Sequence, residues 1–305
     1  MKKGLIMLFV SMFMLVMVAC STDSPADSSK GDAGAKDGEF TVGLSISTLN
    51  NPFFVTLKEG AEAKAKELGI ELIIVDAQDD NAKQVNDVED LIQRNVDLIL
   101  INPTDSASVV TAVETANRAD IPVVTVDRGA DGGEIVAHIA SDNVAGGEMA
   151  GELLLSLVGE GVKVAELEGI SGSSAARERG EGFHNVATGK VEVVSQTANF
   201  NRAEGLTVME NLLQGNPDIV GVFAHNDEMG LGALEAIEAA GRDDIFVIGF
   251  DATDDAVAAV EAGRLNGTVA QQPVLIGEKA LEAALAILSG ETVENYIPVD
   301  LELVK

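Results

Sequence analysis

The stretch DLILINPTDSASVVTAVETANRADIPVVTVDR, from Asp97 to Arg128, holds two runs rich in Ile, Leu and Val separated by a segment of helical period. From Ser106 to Asp120 apolar residues recur at spacings of three and four with polar residues between them, which predicts an amphipathic helix. The flanking runs are apolar throughout rather than alternating. Strands of that kind belong to a parallel sheet covered on both faces, so the stretch reads as a βαβ unit.

The same rhythm extends in both directions. TVGLSIS from Thr41 and ELIIVDA from Glu71 precede the stretch, with another helical segment from Asn81 to Asn95. After Asp142 and Asn143 the pattern starts again, with KVAELEGI from Lys163, VEVVSQTANF from Val191, IVGVFAHND from Ile219 and IFVIGFDA from Ile245. Two similar α/β units are therefore predicted. No short-period repeat is visible, which argues against a solenoid.

The first residues address a compartment. Lys2 and Lys3 precede an apolar run from Leu5 to Val18 that ends at Ala19 and Cys20, the layout of an export signal. That run is shorter than the ~20 residues of a membrane span. Cys20 is the single cysteine, which excludes a disulfide framework and a cysteine-rich metal site. Met17-Val18-Ala19-Cys20 resembles a bacterial lipobox, with Met17 where Leu is usual. Residues 1–19 are expected to be a lipoprotein signal peptide, with Cys20 lipidated. Residues 20–38, polar and rich in Gly and Ser, are expected to be a tether. With 50 acidic against 20 basic residues the formal net charge is −30, so nucleic acid and anionic lipid surfaces are poor partners.

In doubly wound sheets ligands sit beyond the carboxyl ends of the strands. After the first strand comes TLNNPFF, with Asn50 or Asn51 suited to cap a helix, Pro52 suited to its first turn, and Phe53 and Phe54 following. Neighbours on a helix point about 100° apart, so at least one of the two rings should face a cleft. INPTDS offers Asn102 and Asp105, and the next strand ends in Asp127 and Arg128. A carboxylate beside a planar fork of donors suits vicinal hydroxyls. SGSSAARERGEGF carries Arg177 and Arg179 in the first turns of a helix, where cations oppose the macrodipole and need an electron-rich neighbour. Phe200, Asn226-Asp227, Phe250-Asp251 and Gln271 stand at later strand ends. Planar polar groups with Phe faces for C–H surfaces describe a carbohydrate site.

TLNNPFF, INPTDS, VDR, HIASDN, SAARERGEGF, NDE, GFD and AQQP stand in an order and spacing that resembles the type I periplasmic-binding protein family over Phe40 to Lys305. The resemblance implies an α/β fold of two doubly wound parallel-sheet lobes joined by a three-crossing hinge. The first lobe would hold 39–141 plus 272–300, and the second 142–271 plus 301–305, with crossings near Asp142, Gln272 and Asp300. It implies D-ribose or a similar monosaccharide between Phe53 and Phe54 on one side and Phe200 on the other. Asn51, Asn102, Asp127, Arg128, Arg177, Asn226, Asp251 and Gln271 would hold its hydroxyls, and Phe250 would pack. An ABC permease would receive the sugar from a monomeric binder anchored to the membrane by lipid alone.

Catalytic signatures are absent from the sequence. Gly169 to Ser173 lacks the spacing of a nucleophile elbow. His138, His184 and His225 show no metal-ligand spacing, and the acidic stretch from Asp76 lacks the glycine and distal Glu of a calcium loop. No phosphate-binding loop is present, and no cofactor or metal is expected. A sugar-responsive transcription regulator would need a basic helix-turn-helix where the export signal stands. Ligands such as allose, allulose, xylose or a furanosyl signal molecule remain alternatives within the same binding role.

Overall fold

The computed structural model describes residues 40–305; the signal peptide, Cys20 and the tether expected from sequence lie outside them. Twelve strands and nine helices are found among the described residues. The first sheet contains Thr41–Ile46 (β1), Glu71–Asp76 (β2), Leu98–Ile101 (β3), Val123–Val126 (β4), Ala137–Ala140 (β5) and Tyr296–Pro298 (β11). Its order is β11-β5-β4-β3-β1-β2, all parallel. The second contains Lys163–Glu168 (β6), Glu192–Thr197 (β7), Ile219–Ala224 (β8), Phe246–Asp251 (β9), Gly267–Ala270 (β10) and Glu302–Val304 (β12). Its order is β12-β10-β9-β8-β6-β7, with β12 antiparallel at the edge. Both sheets thus reverse strand order about their first strand, which places a ligand crevice at the carboxyl ends of β1 and β6 and their neighbours.

The helices are Pro52–Leu68 (α1), Asn81–Gln93 (α2), Val110–Arg118 (α3), Asn143–Val158 (α4), Ser174–Ala187 (α5), Arg202–Gly215 (α6), Asp227–Ala239 (α7), Asp254–Glu261 (α8) and Pro273–Leu288 (α9). None is long and apolar enough to cross a membrane. In β3, Leu98 and Leu100 join the core under α1 and α9, while Ile99 and Ile101 join the core under α2 and α3. A strand buried on both faces has no polar side to alternate with, which is why the sequence shows an unbroken apolar run.

The chain passes from the first sheet to the second between β5 and α4, returns between β10 and α9, and passes again between β11 and β12. β5, β10, β11 and β12 have no counterpart among the apolar runs of the sequence. Of three or four residues each, they read AHIA, GTVA, YIP and ELV, with neither a period nor the unbroken Ile, Leu and Val run that marks the four-residue β3.

Helices α4 and α5 meet through glycines. A Cβ on Gly182 would run into the Val144 carbonyl oxygen, and one on Gly147 into that of Arg179. This close approach fixes where α5 delivers its first turns.

Candidate functional site

Side chains from both lobes converge on a hollow lined by Asn51, Phe53, Phe54, Asp127, Arg128, Ala175, Arg179, Phe200, Asn226, Asp251 and Gln271. Its cavity volume is about 10 Å³, against about 480 and 290 Å³ for the two hollows that flank it, so the walls stand close together and leave room for about one water.

Local sequence explains each placement. Asn51 caps α1 by accepting the Phe53 N–H at 2.9 Å, and Pro52 occupies the first helical turn. That turn aims both phenylalanines at the hollow, their rings edge to face with centroids 5.2 Å apart. Asn226 caps α7 by accepting from Met229 N at 3.0 Å, and its amide donates to the Phe200 carbonyl. Asp127, Phe200 and Asp251 have φ of 61°, 58° and 115°. Positive φ in a residue with a side chain is costly and concentrates where a binding geometry is over-determined by its surroundings.

Two guanidinium groups organise the interior. Arg128, 3% exposed, lies between the rings of Phe54 and Phe200, its Cζ 4.9 and 5.0 Å from their centroids. Its Nη1 donates to the Pro103 carbonyl, and its Nε is 3.8 Å from Asp127. Arg179, also 3% exposed, stacks over Phe250 at 3.8 Å. Its Nε donates to Asn143 Oδ1 at 2.9 Å, its Nη1 donates to the His225 carbonyl, and Asp251 lies 3.6 Å from it. Gln271 Nε2 donates to Asp251 Oδ1 at 2.9 Å.

Burial pushes the carboxyls of Asp127 and Asp251 above the ordinary range, opposed chiefly by Arg128 at the first and Arg179 at the second. Burial likewise lowers Arg128, opposed by Asp127. Each of the two arginines already faces a carboxyl inside the hollow, so a ligand charge would compete with a pairing already made. A neutral polyol, whose hydroxyls donate and accept, matches a lining of forks, carboxyls and amides. Arg128 Nε and Gln271 Oε1 are buried with no hydrogen-bond partner among the described residues. A buried polar atom without a partner costs about 1–3 kcal/mol, which a ligand hydroxyl recovers.

Nine residues expected from sequence line this hollow: Asn51, Phe53, Phe54, Asp127, Arg128, Phe200, Asn226, Asp251 and Gln271. Asn102 and Phe250 stand one layer behind it. Asn102 accepts from Ser47 N and donates to the Val126 carbonyl, with Asp127 at 3.4 Å, and so braces Asp127. Phe250 is fully buried beneath Arg179.

The expectation for Arg177 needs correction. Its side chain is 46% exposed and paired with Asp131 at 3.0 Å, and it donates to the Gly172 carbonyl. It bridges the two lobes on the rim, beside the bonds Ser106 N to Gly172 O, Ser174 N to Ser106 Oγ and Gly129 N to Ser174 Oγ. Arg179 occupies the interior place instead. The signal was helical phase. Arg179 shares a face with Ala175, Ala176 and Phe183, at spacings of three and four, all buried. Arg177 falls off that stripe.

A model of the periplasmic binding protein domain matches residues 42–292. The chain belongs to this family. It is 57% identical over 305 residues to the ribose import binding protein RbsB of Bacillus subtilis (strain 168), covering 99% of each chain. It is 54% identical over 275 residues to the protein of the same description from Escherichia coli (strain K12), covering 90% of this chain and 92% of that one. Among solved structures of the family, an ABC transporter solute binding protein from Bacillus halodurans C-125 with bound myo-inositol superposes with TM-score 0.82. Its identity is 36%, over 87% of this chain and 94% of that one. A counterpart from Actinobacillus succinogenes 130z with bound D-allose also has TM-score 0.82, at 31% identity over 88% and 98% of the two chains.

Proposed function

We propose that the chain is the extracytoplasmic binding component of a D-ribose importer, closing two lobes around the sugar and presenting the closed form to an ABC permease. One observation carries the reading. The buried Arg128 Nε and Gln271 Oε1 come from strand ends in opposite lobes and have no hydrogen-bond partner among the described residues, so one small polyol touching both is bound best when the lobes are shut. That differential affinity is a sufficient cause of closure. The moving bodies are 39–141 with 272–300, and 142–271 with 301–305. The relatives described as ribose import binding proteins support ribose as the sugar. Export with lipidation at Cys20 would hold the binder, as a monomer, at the outer face of the cytoplasmic membrane. The role is capture rather than catalysis.

Calorimetric titration with ribose, allose, allulose, xylose and arabinose tests the ligand. Ribose is expected to bind with Kd below about 10 μM, roughly −7 kcal/mol, and the others more weakly. Another sugar binding in that range while ribose does not would overturn the choice.

Arg177→Ala is expected to weaken ribose binding by no more than about fivefold, because an exposed ion pair contributes about 0.2–1 kcal/mol. The loss would act through lobe closure. Titration of the variant showing a hundredfold loss would return Arg177 to the sugar contacts.

A further inference from the structure

The hollow rests on a buried polar group that sugar contact does not explain. Glu166, on strand β6 between β7 and β8, has no exposure to solvent. Its Oε1 is 3.0 Å from His225 Nε2, and its Oε2 is 3.0 Å from His184 Nε2 and accepts from Ser195 Oγ. An ionised carboxylate inside a sheet is costly unless donors surround it. Burial works to raise its pKa, and the hydrogen bonds from His225 and Ser195, with the neighbouring His184, outweigh this and hold it below the ordinary range.

His225, 1% exposed, joins that carboxylate to the hollow. Its Nδ1 faces the Gly169 N–H at 3.4 Å, which makes Nδ1 an acceptor and Nε2 the nitrogen that donates to Glu166. α5 crosses the ring at Gly180, where a Cβ would lie 3.4 Å from His225 Cε1. The His225 N–H donates to the Leu167 carbonyl, and its own carbonyl receives Arg179 Nη1. The next residue, Asn226, lines the hollow.

We propose that His225, clamped by Glu166, is a positioning residue for the sugar site: it fixes the carbonyl that orients Arg179 and the backbone that presents Asn226. The inference rests on the ribose-binding reading, since it assigns His225 a share of that affinity without contact. Removing the imidazole leaves a carboxylate oxygen buried without its donor and frees the β8–α7 junction to relax. A support shell of this kind decides whether a contact group stands in its productive geometry.

The test compares wild type with His225→Ala and His225→Gln, Gln restoring an N–H donor toward Glu166. Each is titrated with ribose at a temperature where circular dichroism shows it folded. The Arg179 Nε–H resonance, assigned by its loss in Arg179→Lys, is followed by NMR. His225→Ala is expected to weaken ribose binding about tenfold, the lower end of what losing an outer hydrogen-bonding partner costs at metal sites, and to shift the Arg179 resonance. His225→Gln is expected to recover most of both. A folded His225→Ala with wild-type affinity, an unmoved Arg179 resonance, or no recovery in His225→Gln would overturn the proposal. If His225→Ala does not fold, Glu166→Gln is read against the same two measurements, with unchanged affinity again overturning it. Failure of the wild type to bind ribose would instead overturn the functional reading.

Discussion

Arg179→Ala is expected to weaken ribose binding by at least a hundredfold, the largest loss for any single truncation at the site. The guanidinium is buried, pairs with Asp251, stacks on Phe250, and donates to Asn143 and to the His225 carbonyl. Removing one partner of a buried, hydrogen-bonded charge pair costs roughly 3–5 kcal/mol, because the other is left uncompensated. Asp251, whose carboxyl burial already raises, loses the group that chiefly opposes the rise. Its carboxyl is therefore held still further above the ordinary carboxylate range. Arg179→Lys should fall between wild type and Ala, since an ammonium keeps the charge but not the planar fork. Calorimetry decides the matter: affinity within a few-fold of wild type in a folded Arg179→Ala would remove Arg179 from the site.

The second large effect concerns the fold. Gly182→Ala is expected to destabilise the protein by about 3 kcal/mol, the upper range for overpacking a close-packed interface. Its methyl group would meet the Val144 carbonyl, which is backbone and cannot swing aside, so α4 and α5 must separate. At the usual scaling for chains of this size the melting temperature falls by roughly 6–12 °C. Gly215→Ala is the control. It also lies in a helix, but a Cβ there meets no atom within 4 Å, so stability should hold or rise slightly. Thermal unfolding followed by circular dichroism separates the cases, and equal behaviour of the two variants would contradict the close approach of α4 and α5. Because α5 carries Arg179, Gly182→Ala should also weaken binding.

Much of this architecture is legible in the chain itself. Apolar runs such as those from Asp97 and Ile121 admit only a covered parallel sheet. Their recurrence after Asn143 doubles the unit. The carboxyl ends of strands are then known sites of polar convergence, which is how Asn51, Asp127, Arg128, Asn226, Asp251 and Gln271 were reached. Strands β5, β10, β11 and β12 escaped, because their three or four residues do not form an unbroken run of Ile, Leu and Val like that of β3. Left-handed backbone at Asp127, Phe200 and Asp251 also escaped, since no glycine marks it.

By itself the sequence determined the two-sheet fold and the gathering of planar polar side chains and phenylalanines at the strand ends, because burial and strand ends are local properties of the chain. Which arginine enters the hollow, and that Asn102 and Phe250 stand behind its wall, was decided only by tertiary structure. Those placements depend on the phase of α5 and on the packing of one layer against the next. A rotation of 200° separates Arg177 from Arg179 on an ideal helix; the apolar stripe of Ala175, Ala176 and Phe183 marks the face that Arg179 shares, and the glycine contact with α4 fixes where that face points.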